Sequence, residues 1–431
     1  MFATLPEVEN TVDKFIADGQ YNEALANILV GVHNHFKQAE VARKFLYYPN
    51  LDSKLEKLSQ RLKESSQPSL ASSISNNTLI VASEMYDVGG HSRVILDIAR
   101  ETPYATIVLT DMFWRTRNSP DNINWLLSAL PNVTIIVLTQ LSLWGKCQAL
   151  YQLTLRLQPK SILYFNHHQD PIPFVGTLAH EGSRKYVVHH CDHNPSLGNT
   201  LNDVGHVDFA RETALECARH LRRETSVLPL YVPDIGRKEP SSASTAPFSV
   251  VTSGPSHKFI RTGDLSLQNI VCTSLDVING SFFHIGDLDD DWIQEIRAHL
   301  NNNAINPERF ITLGRVASIW GTLQGIDANL YIGSAPVGGG RTAIEAQGCG
   351  YPVAFFKVST QGTALGISSI YADPSLCWST LAELKILLRS ARPTLNTLSD
   401  KARSFYEAQF SRMEFIRAVN QIVAPSSPIE S

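Results

Sequence analysis

The residues best equipped for chemistry fall in four short clusters. The first is Gly338-Gly339-Gly340-Arg341-Thr342-Ala343-Ile344-Glu345, which follows the apolar run Asn329–Ile332 and leads into Gly350-Tyr351-Pro352-Val353. The glycines let backbone approach an anion closely. A helix opening at Arg341-Thr342 would offer free amides and the positive end of its dipole to phosphate. Glu345, one turn further in, is within reach of ribose hydroxyls beside that phosphate. The second cluster is Glu84-Met85-Tyr86-Asp87-Val88-Gly89-Gly90-His91-Ser92-Arg93, a tight glycine turn that feeds His91 into a helix. Histidine titrates near neutrality and suits the role of a general base. The third pairs Val188-His189-His190-Cys191-Asp192-His193 with Asn166-His167-His168-Gln169-Asp170. Here His190 or Asp192 offers a base, and His193 can contact a phosphate or a sugar hydroxyl. The fourth is Val251-Thr252-Ser253-Gly254-Pro255-Ser256-His257-Lys258, whose lysine can neutralise charge on a departing anion.

These clusters need a scaffold that delivers them to one edge. From residue 77 onward, apolar strand-like runs alternate with helical patterns: Thr78–Ala82, Ala105–Thr110, Val133–Thr139, Ser161–Phe165 and Lys185–His189, with helices over Ser92–Arg100 and Leu143–Leu157. A second series runs through Phe248–Thr252, Phe282–Ile285, Arg309–Leu313, Asn329–Ile332 and Pro352–Phe356, and closes on one long helix, Thr397–Val423. Buried runs separated by helices indicate βαβ units and parallel sheets. The expected class is α/β: two Rossmann-like, doubly wound domains preceded by a small helical N-terminal segment. The expected boundaries are 1–75 for the helical segment and its linker, 76–232 for the first domain, 233–247 for a Pro/Ser-rich linker, 248–425 for the second domain and 426–431 for a tail. In such sheets ligands bind beyond the carboxyl ends of the strands, where all four clusters fall. Ala17–Leu25 looks like one tetratricopeptide hairpin with no second copy at the required period, which predicts a cap rather than a solenoid.

Composition narrows the function. The 431 residues carry a net charge of −4, with 43% hydrophobic and 18% charged residues. That supports full cores and argues against nucleic acid as the main partner. Six scattered cysteines with no Cys-x-x-Cys pair read as free thiols in a reducing compartment. The uncharged stretch Asn122–Gly145 is broken by Pro131-Asn132 and is read as helix, turn and strand rather than a membrane span. A cytoplasmic protein is expected, with room for peripheral membrane contact. Asp287-Leu288-Asp289-Asp290-Asp291 has the spacing of a manganese-binding pair, but it precedes a helix, where acidic residues serve capping and the dipole.

The string from Ile332 to Val353 resembles the donor-binding motif of GT-B glycosyltransferases, and the Gly89-Gly90-His91 loop is similar to that of their inverting members. The resemblance covers the organisation of roughly residues 77–425. It is closest in layout to the branch of protein O-GlcNAc transferases and bacterial protein glucosyltransferases. It implies a nucleoside diphosphate sugar, by analogy a UDP-sugar, as donor and a glycan or protein hydroxyl as acceptor, with no resident cofactor or metal. Carried over, Gly338, Gly339, Gly340, Arg341, Thr342 and Lys258 hold the diphosphate and Glu345 the ribose. Gly89, Gly90, Arg93, His168 and His193 line the acceptor side, with a base among His91, His190 and Asp192. Where many retaining members carry a first glutamate, eight residues before Glu345, this chain has Val337, which favours inversion. Two alternatives remain: a metal-dependent hydrolase built on His189, His190, Asp192 and His193, and a non-catalytic GT-B-like binding protein.

Overall fold

The structure, a computed structural model, describes residues 3–37, 47–66, 77–87, 90–102, 104–116, 118–190, 195–239, 247–336, 338–357 and 368–423. Gly89, Asp192, His193 and Val337 lie outside the described residues. The chain divides into two compact units. Unit 1 takes the described residues up to 228 together with 416–423, and unit 2 takes those between 229 and 415.

Unit 1 opens with helices α1 (Leu5–Ala17), α2 (Tyr21–Phe36) and α3 (Pro49–Ser65). The α3 residues Leu51, Leu55, Leu58 and Leu62 recur every three or four positions and are all buried, as an amphipathic helix docked on a core requires. Its Asp52 is buried too. Its carboxylate accepts hydrogen bonds from the amides of Gly198 (2.6 Å) and Thr200 (2.9 Å) and from the Thr200 hydroxyl (2.6 Å). The first helices are thereby tied to the far end of the same unit.

The alternating series follows: β1 (Thr78–Ala82), α4 (Gly90–Glu101), β2 (Ala105–Leu109), α5 (Pro120–Ala129), β3 (Thr134–Val137), α6 (Leu143–Leu157), β4 (Ser161–Phe165), α7 (Ile172–Val175), β5 (Arg184–Val188), β6 (Val204–Asp208), α8 (Arg211–Leu221) and β7 (Ser226–Val227). The strands form one sheet in the order β3-β2-β1-β4-β5-β6-β7, and every pairing is parallel. β1, β2 and β4 are buried along their whole length, which is why they read as unbroken apolar runs. Two buried charges fasten the carboxyl edge. Asp170 accepts from the hydroxyls of Ser83 and Thr110, both at 2.6 Å. Lys146, only 1% exposed, donates to the carbonyls of Thr110, Asp111 and Leu138.

Unit 2 runs β8 (Val250–Ser253), α9 (Leu267–Leu275), β9 (Phe282–Ile285), α10 (Asp290–Asn302), β10 (Phe310–Thr312), α11 (Ile319–Gly325), β11 (Leu330–Ile332), α12 (Gly340–Gly348), β12 (Val353–Phe356), β13 (Cys377–Trp378), α13 (Leu381–Ala391) and α14 (Leu395–Gln409). Its sheet has the order β10-β9-β8-β11-β12-β13. Numbered within each unit, the sheets read 3-2-1-4-5-6-7 in unit 1 and 3-2-1-4-5-6 in unit 2, with the winding direction reversing between the first and fourth strands. Crevices for ligands form at that reversal. The reversal lies between β1 and β4 in unit 1 and between β8 and β11 in unit 2.

Several boundaries differ from the sequence reading. The long C-terminal helix is two helices, α14 and α15 (Arg412–Val423). The last part of α15 belongs to unit 1, where the Val423 carbonyl accepts from Arg184 at 2.7 Å. Residues 229–239 pack on unit 2: Lys238 Nζ donates to the carbonyls of Ile326 and Ala328, and the Tyr406 hydroxyl donates to that of Val232. β6 is an extra strand that the hydrophobic pattern did not mark, because His206 and Asp208 interrupt it. Asp291 serves an ion pair with Arg261 (2.5 Å), which also reaches Glu295. Among the described residues no helix is long and apolar enough to cross a membrane.

Candidate functional site

In unit 2 the loops after β8 and β11 meet at the winding reversal. The loop after β8 turns at Gly254 into a short 3-10 turn, Ser256–Lys258. An antiparallel bridge between Phe259 and Pro336 joins it to the loop after β11. Gly286, after β9, comes so close beneath that a Cβ there would lie 2.5 Å from the Gly254 carbonyl oxygen, at a φ of +130°. Only glycine fits both conditions.

The glycine turn then opens α12. Gly339 is its N-cap and makes no side-chain cap hydrogen bond. Below the turn runs a buried hydroxyl relay: Ser253 Oγ lies 2.6 Å from the Tyr331 hydroxyl, which donates to Thr342 Oγ1 at 3.2 Å, and Thr342 Oγ1 donates to the Gly339 carbonyl at 3.1 Å. Thr342 therefore stabilises the turn through its own backbone. A Cβ on Gly339 would lie 2.5 Å from Thr342 Oγ1 and 3.0 Å from Lys258 Nζ. The ammonium thus stands against the glycine backbone at the positive end of α12. Burial lowers the Lys258 pKa below the usual lysine value, and the ammonium has no hydrogen-bond or ion-pair partner among the described residues. A half-buried, unpartnered cation beside the amides of a helix start is an anion site in physical terms.

Arg341 and Glu345 pair along α12. The guanidinium donates to the Tyr231 carbonyl at 2.8 Å and lies 3.7 Å from Glu345, which anchors α12 to the segment entering unit 2. On the other side Tyr371 stacks on Phe355, with centroids 4.0 Å apart and planes within 2°. Its hydroxyl lies 3.7 Å from where a Cβ on Gly338 would be. Gln347 holds this segment by bonding Ile370 and Ala372.

In unit 1 the loops at the β1/β4 reversal bring imidazoles together. Gly90 opens α4, and His91 lies 4.4 Å from His190 and 6.0 Å from His167, centroid to centroid. Phe113 and Phe165 wall the group through His167 and His91. Neither ring nitrogen of His91 has a hydrogen-bond partner among the described residues. Burial, then the neighbouring His190 and His167, hold its pKa well below the ordinary histidine value. Burial, then Arg115, push His167 down to about 4. Both rings are neutral at pH 7, and a neutral imidazole can accept a proton. His168 is buried beside them, 8% exposed.

No protein-family model matches this chain, and no curated protein sequence matches it. Solved structures do. The lipopolysaccharide outer core galactosyltransferase WaaB superposes with a TM-score of 0.62 at 13% identity, covering 80% of this chain and 99% of its own. HepE of Anabaena in complex with UDP gives 0.60 at 15% identity, covering 81% and 99%. The O-GlcNAc transferase of Thermobaculum terrenum gives 0.50 at 12% identity, covering 96% of this chain and 80% of its own. The chain has the GT-B fold.

Within that fold, the structure brings Lys258 to Gly339 and His91 to His190, residues far apart in sequence. Arg93, exposed on α4, lies over the Trp125 ring at 5.8 Å and donates to the Asp87 carbonyl. The ligand set of the hydrolase alternative is also divided. Successive strand residues point to opposite faces, and His189 turns away from His190 to meet Asp208 at 3.2 Å. Sequence reasoning missed Tyr331, Phe355 and Tyr371 beside the glycine turn of unit 2. Their signal was weak, since single aromatics in or after apolar strands look like core.

Proposed function

We propose that this chain is a glycosyltransferase that moves a sugar from a nucleoside diphosphate donor to an acceptor hydroxyl, with inversion and without a metal at the diphosphate. The observation that carries the reading is the unpartnered Lys258 ammonium set against Gly339 at the start of α12. Solved GT-B neighbours support it: HepE has been seen with UDP, with UDP-glucose and with UDP and glucose, and a UDP-sugar is the proposed donor here. The α12 amides and Lys258 stabilise the diphosphate as it leaves, the task that a divalent cation performs in other transferases. Glu345, held by Arg341, accepts from the ribose. In unit 1, neutral His91 takes the proton of the acceptor hydroxyl, with His190 beside it. The acceptor is a glycan or a protein, and the reaction takes place in the cytoplasm. Inversion rests on Val337 standing where many retaining members carry a glutamate.

The test is calorimetric titration of UDP into wild type, Lys258→Ala and Glu345→Ala, with UDP-sugar hydrolysis measured in parallel. Lys258→Ala should weaken UDP binding by roughly ten- to a hundredfold, the scale of one charge-assisted contact. Unchanged affinity in both variants would remove the donor site from this edge of unit 2. The anomeric configuration of the first product, read by NMR, decides inversion.

A further inference from the structure

Away from the imidazoles of the acceptor side, unit 1 gathers a second polar cluster that the transfer reaction does not use. β6 follows β5 in the sheet, with Val187 opposite His206 and Val188 opposite Val207. His206 and Asp208 are two residues apart, so both project to one face. β5 ends by passing His189 to that face, where its amide bonds the Val207 carbonyl at 2.8 Å. Helix α8 then returns over β6 and brings Cys217. All four residues are buried, and their ligand atoms lie within 4.8 Å of one another.

The distances have the dimensions of a coordination sphere. His189 Nδ1 is 3.2 Å from Asp208 Oδ1, and His206 Nε2 is 3.3 Å from Asp208 Oδ2. Cys217 Sγ is 3.7 Å from both His189 Nδ1 and Asp208 Oδ1. With bonds of about 2.0–2.1 Å to nitrogen or oxygen and about 2.3 Å to sulfur, a tetrahedral zinc ion spaces its ligands about 3.3–3.6 Å apart. Hydrogen bonding inside the cluster serves only part of it, through Asp208 Oδ1. Apart from their own 3.3 Å contact, Asp208 Oδ2 and both ring nitrogens of His206 have no hydrogen-bond partner among the described residues, and their side chains are 0% exposed. Buried polar atoms left in that state are costly, and a cation between His206, Asp208, His189 and Cys217 removes the cost. An outer partner is also in place. The Tyr47 hydroxyl donates to Cys217 Sγ at 3.3 Å, and its ring stacks on His220 at 3.8 Å. Such a donor orients a metal-bound sulfur.

We propose that His189, His206, Asp208 and Cys217 bind one zinc ion as a closed, structural site in unit 1. Imidazole, carboxylate and thiolate together suit zinc among the divalent cations. Four protein ligands with no exposed edge leave no position for substrate, so the ion fastens β5, β6 and α8 and takes no part in transfer. On binding, the Cys217 thiol gives its proton to solvent and its sulfur becomes a ligand. His189 is thereby fixed, and with it the strand end that carries His190 beside His91.

Metal analysis of protein purified without chelator tests this directly. Wild type and the control Cys349→Ser, which removes a buried thiol of unit 2, should each hold one zinc per chain. Cys217→Ser and His206→Gln should hold about a tenth of that or less. In case those variants fail to fold, wild type is exchanged into cobalt(II). A sulfur-to-cobalt charge-transfer band with intense tetrahedral d–d bands is expected, and chelator should lower the melting temperature. Wild type free of transition metal and not stabilised by added zinc overturns the proposal. So does a cobalt spectrum without the sulfur band, or a folded Cys217→Ser that keeps its zinc.

Discussion

At the scale of single residues, burial sets the chemistry of the imidazoles. His91 is held uncharged because its ring is buried and the neighbouring His190 and His167 disfavour a further positive charge, against a smaller upward contribution from the Glu84 backbone. If it is the base, the transfer rate rises with pH through its lowered pKa and is already flat at neutral pH, since the base form is complete above that value. His91→Gln should lower kcat by roughly a hundredfold or more and leave UDP affinity in unit 2 unchanged. A rate that keeps climbing between pH 7 and 9 would assign the proton transfer to a different group. Lys258 has the opposite signature. It must be charged to hold a diphosphate, and burial lowers its pKa. UDP affinity should therefore fall on the alkaline side at a lower pH than an ordinary lysine gives, and Lys258→Ala should abolish that fall.

At the scale of elements, what was legible in the sequence was what is local. The glycine turn and α12 are contiguous, and their strand–turn–helix grammar fits within the residues from Ile332 to Val353. α6 begins and ends where its pattern does, at Leu143 and Leu157. β6 was not legible, because burial there is polar: its inward residues, His206 and Asp208, meet their polar neighbours His189 and Cys217 only from the end of β5 and from α8. The C-terminal helices were read as one because the break at Phe410-Ser411 contains neither glycine nor proline. The docking of α3 was hidden for the same reason as β6, since the partners of Asp52 lie about 150 residues away, at Gly198 and Thr200. Burial raises the Asp52 pKa to about 6, although these hydrogen bonds pull it down. A carboxyl raised in the folded state adds stability at a pH below its unfolded value of 3.8 and loses it as pH rises through 6. Relative to Asp52→Asn, wild type should lose about 2 kcal/mol between pH 4 and 7, measured by urea unfolding. Parallel pH profiles would mean that the carboxylate is solvated in the folded protein.

At the scale of the molecule, one winding pattern is used twice, and each sheet places titratable groups at its own reversal. Each unit also buries a histidine whose charged form it does not accommodate. In unit 1 this is His167. In unit 2 it is His284 on β9, 0% exposed, with no hydrogen-bond partner for either ring nitrogen among the described residues. Burial sets its pKa at about 4, against smaller upward contributions from Gly254 and Asp287. A histidine depressed on folding contributes stability that is fully present above 6.5 and is lost as pH falls through 4. The interval from 6.5 to 4 corresponds to about 3 kcal/mol for each ring. Carboxyls raised by burial, such as Asp52 and Asp170, gain stability over the same range, so the wild-type profile alone mixes the two signs. Comparison with His167→Gln and His284→Gln separates them. Each variant should gain about 3 kcal/mol on wild type between pH 7 and pH 4. Urea unfolding at the two pH values reads the difference, and a constant gap for His284→Gln would mean that its ring finds a partner when it is protonated.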